Sequence, residues 1–101
     1  MNEIVNTFPE RFRADIAKAS EILKKYGCSE IYIFGSLVNG KFNEKSDIDI
    51  AVKGLKPEIY YKVSSEIMIN TENEIDLIDL DDTENRFAQF ILEKGELIKV
   101  A

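Results

Sequence analysis

The chain has 101 residues, of which 45% are hydrophobic and 32% are charged, a composition typical of one small globular domain and unlike that of a disordered tail. Its net charge of −6 argues against a protein that holds nucleic acid through a basic face. The absence of histidine and the single cysteine disfavour a zinc site and an internal disulfide, so Cys28 is expected to be a buried filler.

The sequence also lacks the features of exported and membrane proteins. Its apolar runs are too short to span a bilayer. The first residues, MNEIVNTFPERF, include an acidic residue and no apolar stretch of the kind found in a secretory signal. We therefore expect a cytoplasmic protein in which residues 1–101 form a single domain.

The first predicted element is an amphipathic helix. Thr7 and Glu10 have the spacing of a capping box, which predicts that Thr7 is the N-cap, and Gly27 is expected to end the helix. The helix itself is indicated by apolar residues that recur every three or four positions: Phe12, Ile16, Ala19, Leu23 and Tyr26.

Two strands are expected next, separated by a turn and a loop. Residues 30–34, EIYIF, are rich in β-branched and aromatic side chains and predict a buried strand. Gly35 and Ser36 interrupt that strand, and the following residues can start a short helix. Residues 47–52, DIDIAV, alternate between polar and apolar side chains, which indicates a strand with one polar face.

The second half of the chain predicts two more helices and two more strands. Pro57 suits the first turn of a helix whose apolar face carries Ile59, Val63 and Ile67, and residues 74–80, EIDLIDL, predict the third strand. Asp81 with Glu84 predicts a cap before a helix that Gly95 ends, and residues 96–100 predict a short last strand. The order α-β-β-α-β-α-β is that of an α/β domain built around a small sheet.

Three aspartates fall on polar faces of the second and third strands. Asp47 and Asp49 are two residues apart, so they point to the same side of their strand. If the third strand is a neighbour, Asp76 completes a cluster of three carboxylates, and Asp79 is the alternative third member if the strand register differs. Carboxylates this close repel one another, and an all-oxygen set suits Mg²⁺ or Mn²⁺.

The turn after the first strand is a candidate phosphate site. Gly35 allows a phosphate to approach the backbone, and free amide groups and the Ser36 hydroxyl can bind an anion. Lys41 and Lys45 lie on the following loop and could contact phosphate, although exposed lysines without a ligand are more common. Taken alone, Asp47 and Asp49 are better explained by a solvated strand face, and an ordinary turn is the alternative for Gly35 and Ser36.

The combination of these features resembles the DNA polymerase β-like nucleotidyltransferase superfamily. Residues 35–52, GSLVNGKFNEKSDIDIAV, have the spacing of its signature, a Gly-Ser pair followed after ten residues by Asp-x-Asp. The small size of the chain and the third-strand aspartate are similar to those of the minimal nucleotidyltransferases (MNT), over roughly residues 30–80. The resemblance implies the nucleotidyltransferase fold, with a small mixed β-sheet flanked by helices.

The resemblance also implies a role for each motif residue. Gly35 and Ser36 match the residues that bind the triphosphate of ATP or another NTP. Asp47, Asp49 and Asp76 match the catalytic carboxylates that hold two Mg²⁺ ions, for which Mn²⁺ can substitute. Asp76 also matches the residue that helps to deprotonate the acceptor hydroxyl. Where the family often has arginine before the second glycine of the turn, this chain has Asn39, which removes a positive charge.

The resemblance finally implies a partner. Many minimal nucleotidyltransferases are antitoxins that pair with a small helical toxin of the HEPN type, and the expected acceptor is a tyrosine of that toxin. The alternative is an antitoxin with little or no catalysis that neutralises its partner by occlusion. Tyr60 and Tyr61 are expected to serve packing, although one of them could stack on a base.

Overall fold

The computed structural model describes residues 3–101, and its helices and strands follow the predicted order. Short 3-10 helices at Glu3–Thr7 and Pro57–Ile59 precede two of the α-helices. The remaining elements are α1 (Glu10–Lys25), β1 (Glu30–Phe34), α2 (Ser36–Asn39), β2 (Ile48–Lys53), α3 (Tyr60–Asn70), β3 (Ile75–Asp79), α4 (Arg86–Lys94) and β4 (Ile98–Lys99).

The four strands of the described chain form one mixed sheet in the order β3-β2-β1-β4. β1 runs antiparallel to both β2 and β4, whereas β2 and β3 are parallel, with α3 as the crossover that parallel neighbours require. The predicted small mixed sheet flanked by helices is therefore confirmed. The pairing also makes the second and third strands neighbours, as the carboxylate cluster requires.

The larger core lies on one face of the sheet. Ile48, Ile50 and Val52 alternate along β2 and are fully buried in the cluster that also holds the apolar residues of α1 and α3. A smaller cluster on the other face comprises Phe34, Ala51, Leu80 and Ile91. Because this smaller cluster covers Ala51 but not Asp49, the polar end of the same face stays partly accessible.

The start of α1 differs from the prediction. The capping box was wrong, because the helix begins at Glu10 after Pro9 and has no side-chain cap. Thr7 ends a 3-10 helix instead, and its hydroxyl donates backwards to the carbonyl oxygen of Ile4 at 2.6 Å. The hydroxyl is therefore used by the turn that precedes the helix.

The cap of α4 was also assigned to the wrong residue. Asn85, not Asp81, is the N-cap, and its Oδ1 accepts from the backbone N–H groups of Phe87 and Ala88 at 3.0 and 3.1 Å. Asp81 instead accepts from the backbone N–H of Gly54 at 2.7 Å. Within the described part of the chain, no helix is long and apolar enough to cross a membrane.

Candidate active site

The centre of the site is a pair of carboxyl groups on adjacent strands. The register of β2 and β3 places Asp49 opposite Asp76, and Phe34 lies opposite Asp49 on β1. The pKa of Asp49 is raised from 3.8 to about 6 by partial burial, by the charge of Asp76, by a hydrogen bond with Asp76 and by the charge of Asp47. Two carboxyl groups can share a hydrogen bond only when one of them is protonated, so this pair can hold a proton or a cation.

Asp47 lies beside this pair but not in it. It precedes the first residue of β2 and is exposed, and its charge contributes to the raised pKa of Asp49. Among residues 3–101, no three Asp, Glu, Cys or His side chains form a group that could hold a metal ion. The structure thus brings two of the three predicted ligands together and leaves the third more open.

Asp79 is directed elsewhere. It lies opposite Val52 in the sheet, and its Oδ1 accepts from the backbone N–H of Asp81 at 2.9 Å. The strand register therefore places Asp76, and not the alternative residue Asp79, beside Asp49.

Gly35 allows the turn after β1 to approach the carboxyl pair. Its φ of +77° lies in the left-handed region, and a Cβ atom at this position would lie 2.2 Å from Oδ2 of Asp49. The backbone at Gly35 thus packs against the carboxyl group of Asp49, and Ser36 starts the four-residue helix α2. The predicted triphosphate turn lies next to the predicted metal ligands.

A cleft of about 620 Å³ opens above the carboxyl pair. Three aromatic residues line it: Phe34, Tyr60 and Phe87. The rings of Phe34 and Phe87 pack edge to face with their centroids 6.1 Å apart. Burial raises the pKa of Tyr60, as do the nearby Tyr61, Asp76 and Asp79, so its hydroxyl remains protonated and donates to the carbonyl oxygen of Leu77.

The sequence predicts only part of this aromatic lining. It offers Tyr60 and Tyr61 for packing or base stacking, whereas Phe34 and Phe87 fall inside a predicted strand and a predicted helix with no role in a site. The signal that could have found them is position, since Phe34 directly precedes the Gly-Ser turn and Phe87 lies in the first turn of the helix that follows β3.

Two polar residues of α1 support the loops that lead into β2 and β3. Arg11 donates from Nη1 to Oδ1 of Asn73 at 2.7 Å and from Nη2 to the carbonyl oxygens of Asn43 and Glu44. Asn43 and Glu44 precede Asp47, and Asn73 precedes Asp76. A single guanidinium group therefore joins the two segments from which the carboxylates emerge.

Asp15 completes this support from inside the fold. It is only 5% exposed, and its Oδ2 accepts from the backbone N–H and the side-chain amide of Asn73 at 2.6 and 2.8 Å. The backbone N–H of Glu72 also donates to it, at 3.1 Å. We call Arg11, Asp15 and Asn73 the polar clamp; its contacts satisfy a buried carboxylate and fix the turn before β3.

The remaining candidates are peripheral. Lys41 and Lys45 are exposed on the loop between α2 and β2, and neither lines the cleft. Cys28 is buried, and burial raises the pKa of its thiol, as expected for a residue that fills space.

The chemistry of the carboxyl pair fits a hard divalent cation. Asp49 and Asp76 supply only oxygen atoms, which Mg²⁺ and Mn²⁺ prefer. Burial and the charge of Asp76 disfavour a negative charge on Asp49, so a cation beside the pair would be favoured. The residues present are therefore compatible with a divalent ion.

Comparison with known proteins gives a family and a set of similar structures. The family model "Polymerase beta, Nucleotidyltransferase" matches residues 17–100. A toxin–antitoxin solved with AMP-PNP is 26% identical, with a TM-score of 0.61 over 83% of this chain and 69% of that chain. The toxin–antitoxin MntA–HepT is 22% identical, with a TM-score of 0.59 over 84% of this chain and 69% of that chain. At this identity, the similarity shows only a shared fold. No curated protein matches the sequence.

Proposed function

Because the chain belongs to the polymerase β nucleotidyltransferase family, we propose that it is a minimal nucleotidyltransferase, acting as a single domain, that transfers AMP from ATP to a hydroxyl group. The family match confirms the resemblance carried by the Gly-Ser turn and the Asp-x-Asp strand. The observation that carries the proposal is the meeting of Asp49, Asp76 and the Gly35 backbone at one point.

The proposed site has two parts. Gly35 and Ser36 bind the triphosphate, and Asp47, Asp49 and Asp76 hold two Mg²⁺ ions, for which Mn²⁺ can substitute. Bound divalent ions would supply the positive charge that lets a triphosphate lie beside carboxylates in a protein of net charge −6. The raised pKa of Asp49 supports this assignment, since burial and the charges of Asp76 and Asp47 all disfavour the ionised carboxylate in the absence of a cation.

The transfer itself needs one acceptor and one base. The acceptor oxygen attacks the α-phosphorus, and the new P–O bond forms as the bond from the α-phosphorus to the bridging oxygen breaks. Pyrophosphate leaves with the electron pair of that bond. The proton of the acceptor passes to Asp76, which is exposed and lines the cleft.

The proposed acceptor is a tyrosine of a small helical HEPN-type toxin, and the chain is its cytoplasmic antitoxin. The complex solved with AMP-PNP is a toxin–antitoxin, which supports both a nucleotide ligand and a toxin partner for this similar chain. A partner that carries the hydroxyl also supplies the positioning on which phosphoryl transfer depends.

A second function is supported by different observations. Asn39 replaces an arginine of the family pattern, and residues 3–101 contain no preformed group of three metal-binding side chains. These features favour an antitoxin that neutralises the toxin by covering it, with weak or no catalysis.

Intact-mass spectrometry separates the two functions. A toxin of the proposed HEPN type that binds this protein is incubated with it, Mg²⁺ and each NTP in turn. We expect the partner to gain the mass of one nucleoside monophosphate, and we expect no gain with the Asp49→Ala variant, whereas Glu93→Gln on the outer face of α4 serves as the active control. A partner that binds this protein but is never modified would establish the occlusion function.

A further inference from the structure

The cleft above the carboxyl pair continues beyond the site. A second cavity of about 350 Å³ shares Tyr60, Leu77 and Ile78 with it, so the two form one groove over β3. We call this the β3 groove. It runs between the first turns of α3 and α4, and its outer part is lined by Pro57, Tyr61, Asp79, Asp82 and Asn85.

The β3 groove is both acidic and aromatic. Asp76 lines its inner part, and Asp79 and Asp82 line its outer part. No lysine or arginine is among the described residues that line either part. Two large rings on its walls are open to solvent, since Tyr61 is 82% and Phe87 is 52% exposed. Exposed rings next to unneutralised carboxylates form a surface suited to a ligand that is both basic and aromatic.

The β3 groove is distinct from the surface next to α2. A separate recess of about 230 Å³, lined by Gly35, Val38, Asn39 and Glu96, lies on the α2 side, where the Gly-Ser turn would meet the phosphates. The β3 groove contacts Gly35 but no residue of α2. The recess shares only Gly35 with the β3 groove and is lined by neither Asp49 nor Asp76.

We propose that the β3 groove binds a basic segment of the partner protein, with its acceptor tyrosine in the inner part and its lysine or arginine side chains against Asp79 and Asp82. This inference rests on the proposed function and assigns its acceptor site. The tyrosine ring lies between Tyr60 and Phe87, and its hydroxyl is beside Asp76. Charge pairing along the groove sets the direction of the segment, and the aromatic wall selects a ring over an aliphatic alcohol.

Peptide binding tests the charge part of this proposal. The probes are short fluorescent peptides with one central tyrosine that is flanked by lysines, by serines or by glutamates, and fluorescence anisotropy is measured with Mg²⁺ and AMP-PNP present. We expect the lysine peptide to bind about tenfold or more tightly than the glutamate peptide, with the difference reduced at high salt. We expect Asp79→Asn/Asp82→Asn to remove most of this preference. The double variant Glu21→Gln/Glu93→Gln, which changes net charge equally outside the groove, should keep it.

Phe87→Ala tests the aromatic wall, and Phe90→Ala is its control, since Phe90 is 58% exposed on the same helix but does not line the groove. Only Phe87→Ala should weaken the lysine peptide, by about tenfold. Equal binding of lysine and glutamate peptides, or no binding of any peptide at millimolar concentration, would overturn the proposal. A Phe87→Ala variant that loses affinity for AMP-PNP and not for peptide would also overturn it, because Phe87 would then contact the adenine ring of the nucleotide and not the acceptor tyrosine.

Calorimetry of AMP-PNP with and without Mg²⁺ keeps the two proposals separate. Metal-dependent nucleotide binding without peptide selectivity would leave the nucleotidyltransferase function in place and remove the β3 groove as the acceptor site. Absence of nucleotide binding would instead count against the proposed function.

Discussion

Asp49 and Asp76 are paired in the sheet but differ in their surroundings. Asp49 is partly buried against Gly35 and carries the raised pKa, whereas Asp76 is exposed on the edge strand and faces the cleft. A group that receives a proton from an incoming hydroxyl must be reachable from the cleft, and a group that holds an ion benefits from a fixed position. The difference in exposure therefore favours Asp76 as the base of the proposed reaction.

Replacing Asp76 by asparagine should separate binding from chemistry. Asp76→Asn keeps the shape of the side chain but removes the base, so we expect the transfer rate to fall by about a hundredfold or more while ATP binding is partly retained. The matched control is Glu74→Gln, which removes an exposed charge two residues earlier. Single-turnover kinetics on the partner protein measure the rate, and full activity of Asp76→Asn would exclude this residue as the base.

Helix α1 supports the candidate site without contributing a residue to it. The polar clamp joins α1 to the loops before β2 and β3, through Asn73 contacts that span 62 residues to Arg11 and 58 to Asp15. Since β2 and β3 enter the sheet side by side, the clamp fixes the ends of the strands that carry the carboxylates. The polar clamp therefore positions Asp49 and Asp76.

Asn73→Ala should loosen this arrangement. The change leaves the Asp15 carboxylate without the side-chain amide that donates to it, so we expect a loss of about 1–3 kcal/mol in the free energy of unfolding. We also expect a lower kcat with a smaller change in KM. Urea unfolding and steady-state kinetics measure the two effects. Asn70→Ala, which removes an amide bonded to Glu66 at the end of α3, should lower stability without the same loss of kcat.

How far the sequence predicts this structure can be seen element by element. The strands were predicted well, because the alternation in residues 47–52 directly reflects which side chains of β2 enter the core. The pairing of Asp49 with Asp76 could be stated only conditionally, since it depends on which strands are neighbours. The polar clamp had no local signal, because it depends on contacts between distant segments. For Phe87 the only signal was its position in the first turn of the helix after β3.

Across the whole protein, unbalanced negative charge lowers the stability of the folded state when no metal ion is bound. The net charge is −6, and the raised pKa of Asp49 locates part of the repulsion at the site. The folded state holds a proton on Asp49 at pH values where the unfolded chain has released it. The contribution of Asp49 to stability therefore falls as pH rises from about 4 to about 6.

The pH dependence of stability tests this link. Asp49→Asn resembles the protonated group, so we expect its melting temperature to match that of the wild type near pH 4 and to exceed it increasingly up to pH 7. At pH 7, Mg²⁺ should raise the melting temperature of the wild type more than that of Asp49→Asn. Differential scanning fluorimetry with and without EDTA measures both effects. A difference between the two proteins that does not change with pH would contradict the assigned pKa.

The order of strands has a further consequence for the behaviour of the free protein at high concentration. A sheet that ends in unpaired strands can recruit strands of other copies and begin to aggregate. Here one outer strand, β4, is only two residues long. On the other, β3, the hydroxyl of Tyr60 occupies the carbonyl oxygen of Leu77 at the middle of the strand. The ring that lines the cleft thus also makes β3 a poorer template for another strand.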